Sequence, residues 1–276
     1  MDATNILNSI NAVAEKIYKS VEKDVFKNLD LLLNISPKIL NEEPLNKIFE
    51  ENLNENIILL ISCFIVFFAI SYIISRLVFL YNGDRPTNVF KFILRVSICV
   101  ICSVSSFYII DTILNTNNMF TNIVVSIGQD ITGEDICFNS LREIVIDLDK
   151  YMSEEFLSLD GMIKGVISFG ATTLLLNFSI RYATVILLIA ITPIAIIFAS
   201  SDVTFDIFSN WLRLFLVNLF TQNIVVLIII IPLSFKKMDS TMFKIVLVGS
   251  IYLLYKVNNF SKEIFGNIWT RTVKRR

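Results

Sequence analysis

Chemistry in a protein needs groups that hold or move charge, and this chain offers few of the usual ones. It contains no His, which removes the commonest general base and metal ligand, and with them any Ser-His-Asp arrangement. Its cysteines are Cys63, Cys99, Cys102 and Cys137. Cys99 and Cys102 stand three apart on one helical face, half of a metal site, but no His or second Cys pair completes it. As small apolar packing residues they need no further role, and no disulfide framework follows. No catalytic, cofactor-binding or metal-binding residue is therefore expected. What remains is a set of polar residues inside apolar runs. Thr192-Pro193 interrupts one run; a proline in a membrane helix frees carbonyls that neighbouring groups must satisfy, so the pair marks a kink or a lining position. Asn218, Thr221, Gln222 and Asn223 cluster in the next run. Asn218 and Gln222 share a face that Trp211 and Phe215 continue. Amides in hydrocarbon must face protein or water, so this cluster is either interhelical hydrogen-bond glue or pore lining. Thr192, Pro193, Trp211, Asn218, Gln222 and Asn223 are the candidates for either role.

The runs that carry these residues set the fold class. Of the 276 residues, 54% are hydrophobic and only 8 are Gly, and the mean hydropathy is +0.67. The apolar residues fall in blocks rather than at amphipathic spacing, which argues for a membrane protein over a large soluble core. A net charge of −1 gives no bulk basic field for nucleic acid. Blocks at 57–81, 89–113, 161–180, 182–200 and 211–235 each approach or exceed the roughly 20 residues a helix needs to cross hydrocarbon. A sixth, 243–255, rises only about 20 Å against about 30 Å of hydrocarbon. The expected fold is all-α: a polytopic helical membrane protein with five full spans and one short C-terminal apolar segment.

Five segments follow. Residues 1–56 form extracytoplasmic amphipathic helices, with Ile6, Ile10, Val13, Ile17, Val21 and Val25 on one stripe and Leu45, Ile48, Phe49 and Leu53 on another. Glu15, Lys16, Lys19 and Lys23 interrupt any apolar core that a signal peptide would need. Residues 57–114 form a two-span hairpin, turning at Gly83 and Pro86. Residues 115–160 form an extracytoplasmic helical loop domain, in which Leu141, Ile144, Leu148, Met152 and Phe156 trace a helical stripe suited to docking a partner. Residues 161–235 form a three-span core, and 236–276 hold the short apolar segment and a basic cytoplasmic tail. Lys and Arg in short loops mark the cytoplasmic side. Residues 76–95 sum to +3 and 256–276 to +5, against −4 for 1–56 and −8 for 111–160. The N-terminus is thus expected outside and the C-terminus inside, which requires an odd number of crossings. Five crossings make Arg181-Tyr182 a two-residue hairpin joint; a single break in one longer element is the competing arrangement.

Spans three to five carry no Asp or Glu at mid-membrane depth, against a proton-coupled carrier, and no phosphate-binding Gly loop occurs, so any energy source is another protein. An arginine opens a span, the run proceeds into Thr-Pro-Ile-Ala, a polar joint follows, and then Trp and an amide-bearing span. The residues are Arg181, Pro193, Ala195, Ser200, Thr204, Phe208, Trp211 and Gln222. Over roughly residues 57–260 this pattern resembles the TrbL-type polytopic subunit of type IV secretion and conjugation systems. The resemblance implies a non-enzymatic structural or channel subunit in the bacterial cytoplasmic membrane. It implies a homo-oligomeric ring in the lipid bilayer, contacts with other secretion subunits and cytoplasmic ATPases, and a DNA–relaxase cargo. It implies no cofactor and no stable small-molecule ligand. Two other classes remain open from the residues alone: a permease or small-solute transporter subunit, and a pore or immunity protein of a mobile element.

Overall fold

A computed structural model describes residues 13, 16, 24–33, 35, 37–41, 53–81, 89–149, 159–201, 204–235 and 240–273. Among them the regular elements are all helical. They are α1 (Phe26–Leu33), a 3-10 turn (Pro37–Asn41), α2 (Leu53–Tyr81), α3 (Val89–Val104), α4 (Ser106–Thr132) and α5 (Phe138–Asp149). There follow α6 (Leu159–Ile197), a 3-10 turn (Phe198–Ser200), α7 (Phe205–Phe235) and α8 (Ser240–Val273). Most of the stripe over residues 6–25, the short helix expected up to residue 52, and the Gly83–Pro86 turn lie outside the described residues.

Among the described residues three helices are long and apolar enough to cross a membrane: α2 over Ile61–Val78, α6 with its 3-10 turn over Gly165–Ser200, and α7 over Phe205–Phe235. A fourth results if α3 and α4 count as one span bent by 68°. The class these helices define is a helical membrane protein. No Pro or Gly marks the α3–α4 bend, which falls at Ser105 between Ser103 and Ser106. The ladder survives there, with Ser105 N bonded to Ile101 O at 3.0 Å and Ile109 N to Ser105 O at 3.2 Å.

The hairpin expected at Arg181-Tyr182 does not exist. α6 runs unbroken for 39 residues, about 58 Å at 1.5 Å per residue. Neither Gly nor Pro occurs between Gly170 and Pro193, and Arg and Tyr sit in a helix at small cost. Thr192-Pro193 accordingly lies inside α6, a turn before its end at Ile197 and the 3-10 turn that follows, rather than mid-span. The expected boundary at 114–115 also disappears. α4 continues to Thr132, because hydroxyls in its polar stretch bond within the helix: Thr112 to Tyr108 O at 2.8 Å and Thr116 to Thr112 O at 2.8 Å. It stops at Gly133, whose φ of 74° is the left-handed C-terminal conformation glycine adopts without strain; its N–H bonds Gln129 O at 2.7 Å. α7 starts six residues before Trp211, and the apolar segment 243–255 is part of the 34-residue α8.

The chain divides into two compact units: Met1–Ile35, Asn117–Ala183 and Val217–Arg276 in the first, Ser36–Thr116 and Thr184–Leu216 in the second. The first has the larger core, which joins α1 (Phe26, Leu29), α5 (Phe138, Leu141), α6 (Ala171, Leu174, Phe178), α7 (Val225, Ile229) and α8 (Leu247, Ile251, Leu254). Its helices approach closely where glycine permits. A Cβ on Gly170 would stand 2.5 Å from Ile251 Cγ2, and one on Gly128 would stand 2.6 Å from Ile230 Cδ1. The second unit packs Ile61 and Phe68 of α2 with Ile197. Aromatic rings hold it: Phe64 meets Phe198 edge-on at 5.3 Å, and Tyr72 stacks on Phe92 at 4.1 Å and 10°. The outward side of α2, including Phe67, Ile70, Ile74 and Leu77, is exposed, as expected of a face that meets lipid.

Candidate functional site

The polar residues singled out from sequence are distributed between the two units. In the first, α7 places Gln222 and Asn223 inside, 0% and 4% exposed, against α4. Asn223 Nδ2 donates to Asn117 Oδ1 at 2.9 Å, and Asn223 Oδ1 lies 2.7 Å from Thr121 Oγ1. Gln222 Nε2 donates to Thr121 Oγ1 at 3.1 Å, while Gln222 Oε1 accepts the N–H of Ile35 at 3.1 Å. The Thr121 hydroxyl also lies 2.9 Å from Asn117 O, so its single proton has two acceptors to choose between. Four side chains and one backbone N–H thus form a buried amide and hydroxyl cluster. Among the described residues Asn117 Nδ2 has no hydrogen-bond acceptor. Buried polar groups stay in an apolar setting when paired in this way.

One turn toward the N-terminus of α7, the backbone oxygen of Asn218 accepts from Arg181 Nε on α6 at 3.0 Å. Arg181 is 2% exposed, with its guanidinium carbon 5.8 Å from the centre of the Phe178 ring. One contribution of Asn218 is thus its carbonyl, which no side-chain pattern reveals.

Within the second unit, Leu188 O is the focus. It accepts from Trp211 Nε1 at 3.0 Å and from Thr192 Oγ1 at 3.0 Å, uniting two of the candidates. Trp211 is stacked between Phe215, at 5.6 Å and 9°, and Phe208, at 5.9 Å and 28°. Pro193, a third candidate, presents its carbonyl oxygen to Ser103 Oγ at 2.6 Å, which ties α3 to the end of α6. The Thr204 hydroxyl donates to Phe198 O at 2.7 Å and steadies the joint before α7.

The expected docking stripe is placed only in part. Leu141 is 2% exposed and belongs to the core of the first unit, so it is not free to meet a partner. The side chains of Ile144 and Leu148, and the whole of Met152 and Phe156, lie outside the described residues. The start of α5 is fixed by Asp30 of α1, whose carboxylate accepts Phe138 N at 2.7 Å and Asn139 N at 3.0 Å, as a capping residue does but from a distant part of the chain. Burial pushes this carboxyl above its ordinary value, against the downward pull of the two N–H groups.

Asn117, Thr121, Ser103 and Asp30 are the partners that sequence reasoning missed. The signal for the first two was available, since Asn117 and Thr121 are four apart like Asn218 and Gln222, but they stood in a stretch read as a loop domain. Among the described residues no group of three or more His, Cys, Asp or Glu could hold a metal ion, and Cys99 and Cys102 are free thiols. What the arrangement does chemically is hold helices together. Compared with known protein families, curated proteins and solved structures, the chain matches none.

Proposed function

We propose that the protein is a non-enzymatic structural and channel subunit of a conjugation-type, type IV secretion machine in a bacterial cytoplasmic membrane. One observation carries this: the residues behind the resemblance are scaffold residues. Arg181, Pro193, Ala195, Ser200, Trp211 and Gln222 are buried, and Arg181, Pro193, Trp211 and Gln222 each hold a hydrogen bond to another part of the chain. A carrier or an embedded enzyme would aim such residues at a cavity. A subunit that conducts by assembling with copies of itself keeps them between its own helices. The ring of copies, the contacts with cytoplasmic ATPases and the DNA–relaxase cargo belong to the same proposal.

Five crossings with the N-terminus outside and the C-terminus inside remain the topology that charge favours, with the segments reassigned. α2 passes inward, the bent pair α3–α4 outward, α6 inward as one helix, α7 outward and α8 inward. This puts the +3 loop at 76–95 and the +5 tail at 256–276 on the cytoplasmic side, while the short joint holding Lys236 and Lys237 falls outside and Asp206 inside. α8 serves as the fifth span through a face that meets protein, with Phe243, Leu247, Ile251, Leu254 and Val257 buried. Lys256 reaches over the Tyr252 ring at 5.0 Å, a posture that lets a long cation snorkel.

The test is deletion of the gene in the cells that carry it, followed by mating. DNA transfer should fall by orders of magnitude and return with the wild-type gene. Unchanged transfer accompanied by loss of uptake of a solute would instead establish a permease subunit.

A further inference from the structure

Within the first unit, α4 runs beside a stretch of α7 that can fill the hydrocarbon. Asn117 and Thr121 bond Gln222 and Asn223, and further on a Cβ at Gly128 would stand 2.6 Å from Ile230 Cδ1. Residues 117–128 of α4 therefore lie along residues 222–230 of α7. No charged residue occurs from 217 to 235, a rise of about 28 Å at 1.5 Å per residue against about 30 Å of hydrocarbon. This part of α4 is thus at hydrocarbon depth, and its outer surface has two characters. Phe120, Ile123 and Ile127 are exposed along one flank and suit lipid. Asn122, Ser126 and Asp130 are exposed as well; they recur every four residues and turn away from Asn117 and Thr121. Hydrocarbon offers an exposed amide, hydroxyl or carboxylate no partner, so lipid does not cover this row.

A second observation in the same unit points the same way. α1 and α5, of 8 and 12 residues, are too short to cross a bilayer. Their Phe26 and Phe138 nevertheless share a core with Phe178 of α6 and Val225 of α7, and Val225 lies inside the charge-free stretch. Beside that core the two short helices expose Lys27, Asn139 and Glu143. α6 by contrast exposes Phe169, Leu176 and Ile180. One unit therefore carries polar and apolar surface at the same level, and only the apolar surface suits hydrocarbon.

We propose that the row of Asn122, Ser126 and Asp130 on α4 faces a water-filled recess at hydrocarbon depth, while the flank with Ile123 and Ile127 and the exposed side of α6 face lipid. Water satisfies the amide, hydroxyl and carboxylate that lipid would strand. On the secretion reading this row is the part of the chain that lines the conduit. The wet row itself rests on the membrane assignment alone, so unchanged DNA transfer after gene deletion would leave it standing.

The test uses the full chain with Cys63, Cys99, Cys102 and Cys137 replaced by Ala, reconstituted in nanodiscs of phosphatidylcholine and phosphatidylglycerol. Asn122→Cys, Ser126→Cys, Ile127→Cys and Leu176→Cys are introduced one at a time and reacted with a charged, membrane-impermeant methanethiosulfonate. The reacting species is the thiolate, which forms in water and is suppressed in apolar surroundings. Asn122→Cys and Ser126→Cys should react about a hundredfold faster than Ile127→Cys and Leu176→Cys. Comparable rates at all four positions overturn the proposal. If uniformly fast, they place the unit outside hydrocarbon; if uniformly slow, they put lipid or a second copy of the chain over the row. Should one of the two polar-row variants fail to give monodisperse protein, the other carries the comparison.

Discussion

The amide cluster of the first unit and the Pro193 region of the second solve the same problem by different chemistry. Gln222, Asn223, Asn117 and Thr121 bond chiefly to one another. Trp211, Thr192 and Ser103 instead bond to the backbone carbonyls of Leu188 and Pro193, and stacked rings supply the rest. A carbonyl is present whatever the side chain, so the second arrangement depends on one residue per bond. A side-chain pair depends on two, and losing one leaves the other buried and unpaired. The first unit should therefore be more specific in register and more sensitive to single polar changes, and the second should lean on ring volume.

The largest test of that contrast is Trp211. Trp211→Ala removes the middle of the Phe208–Trp211–Phe215 stack and should cost about 3–5 kcal/mol, read as a lowered midpoint in SDS-titration unfolding. Trp211→Phe keeps most of the ring and should cost only about 1 kcal/mol, because Leu188 O retains Thr192. Equal costs for the two would show that the indole N–H, not the stack, carries the contact.

In the first unit, Gln222→Leu leaves Ile35 N without its acceptor and removes one donor from Thr121 Oγ1, and should cost about 2–3 kcal/mol by the same measurement. Asn223→Leu and Asn117→Leu should each destabilise, and the double variant should be milder than their sum, since removing both members leaves fewer buried orphans. Strict additivity would break the claim that the cluster acts as a unit. Ser103→Ala, which forfeits one hydroxyl-to-carbonyl bond, should cost about 1 kcal/mol.

The smallest effect concerns pH. Burial raises the Asp30 carboxyl in the folded protein, so its contribution to stability is fullest below the unfolded value of about 4 and is lost as pH rises through the folded one. Acidifying from neutral should therefore raise stability slightly through this group. Asp30→Asn should flatten that slope. A slope of the opposite sign in the difference between the two proteins would mean that the Phe138 and Asn139 N–H groups outweigh burial.

Much of this was legible in the sequence, for a physical reason. Amides and prolines inside apolar runs stand out because hydrocarbon penalises them, so Gln222, Asn223, Thr192 and Pro193 were visible as contact residues and the helical membrane class followed from block composition. Their partners were hidden. Asn117 and Thr121 lie in a polar stretch where amides are unremarkable, and Leu188 and Asn218 contribute carbonyls that every residue has. Arg181 misled because a charge between two apolar runs reads as the end of both. A guanidinium with a carbonyl acceptor and a ring beneath it can stay inside one helix. The α3–α4 bend was illegible because no proline or glycine marks it.

The most direct test of the account is which side of the membrane follows α6. If one helix passes through Arg181, Ser201 lies inside the cell; if Arg181-Tyr182 is a hairpin, Ser201 lies outside. The measurement is labelling of a Ser201→Cys variant, with the native Cys63, Cys99, Cys102 and Cys137 replaced, by a membrane-impermeant maleimide. A companion protein that retains only Cys137 serves as the outside reference. The expected result is label on Cys137 in intact cells and on position 201 only after lysis. Label at position 201 in intact cells would contradict the single crossing.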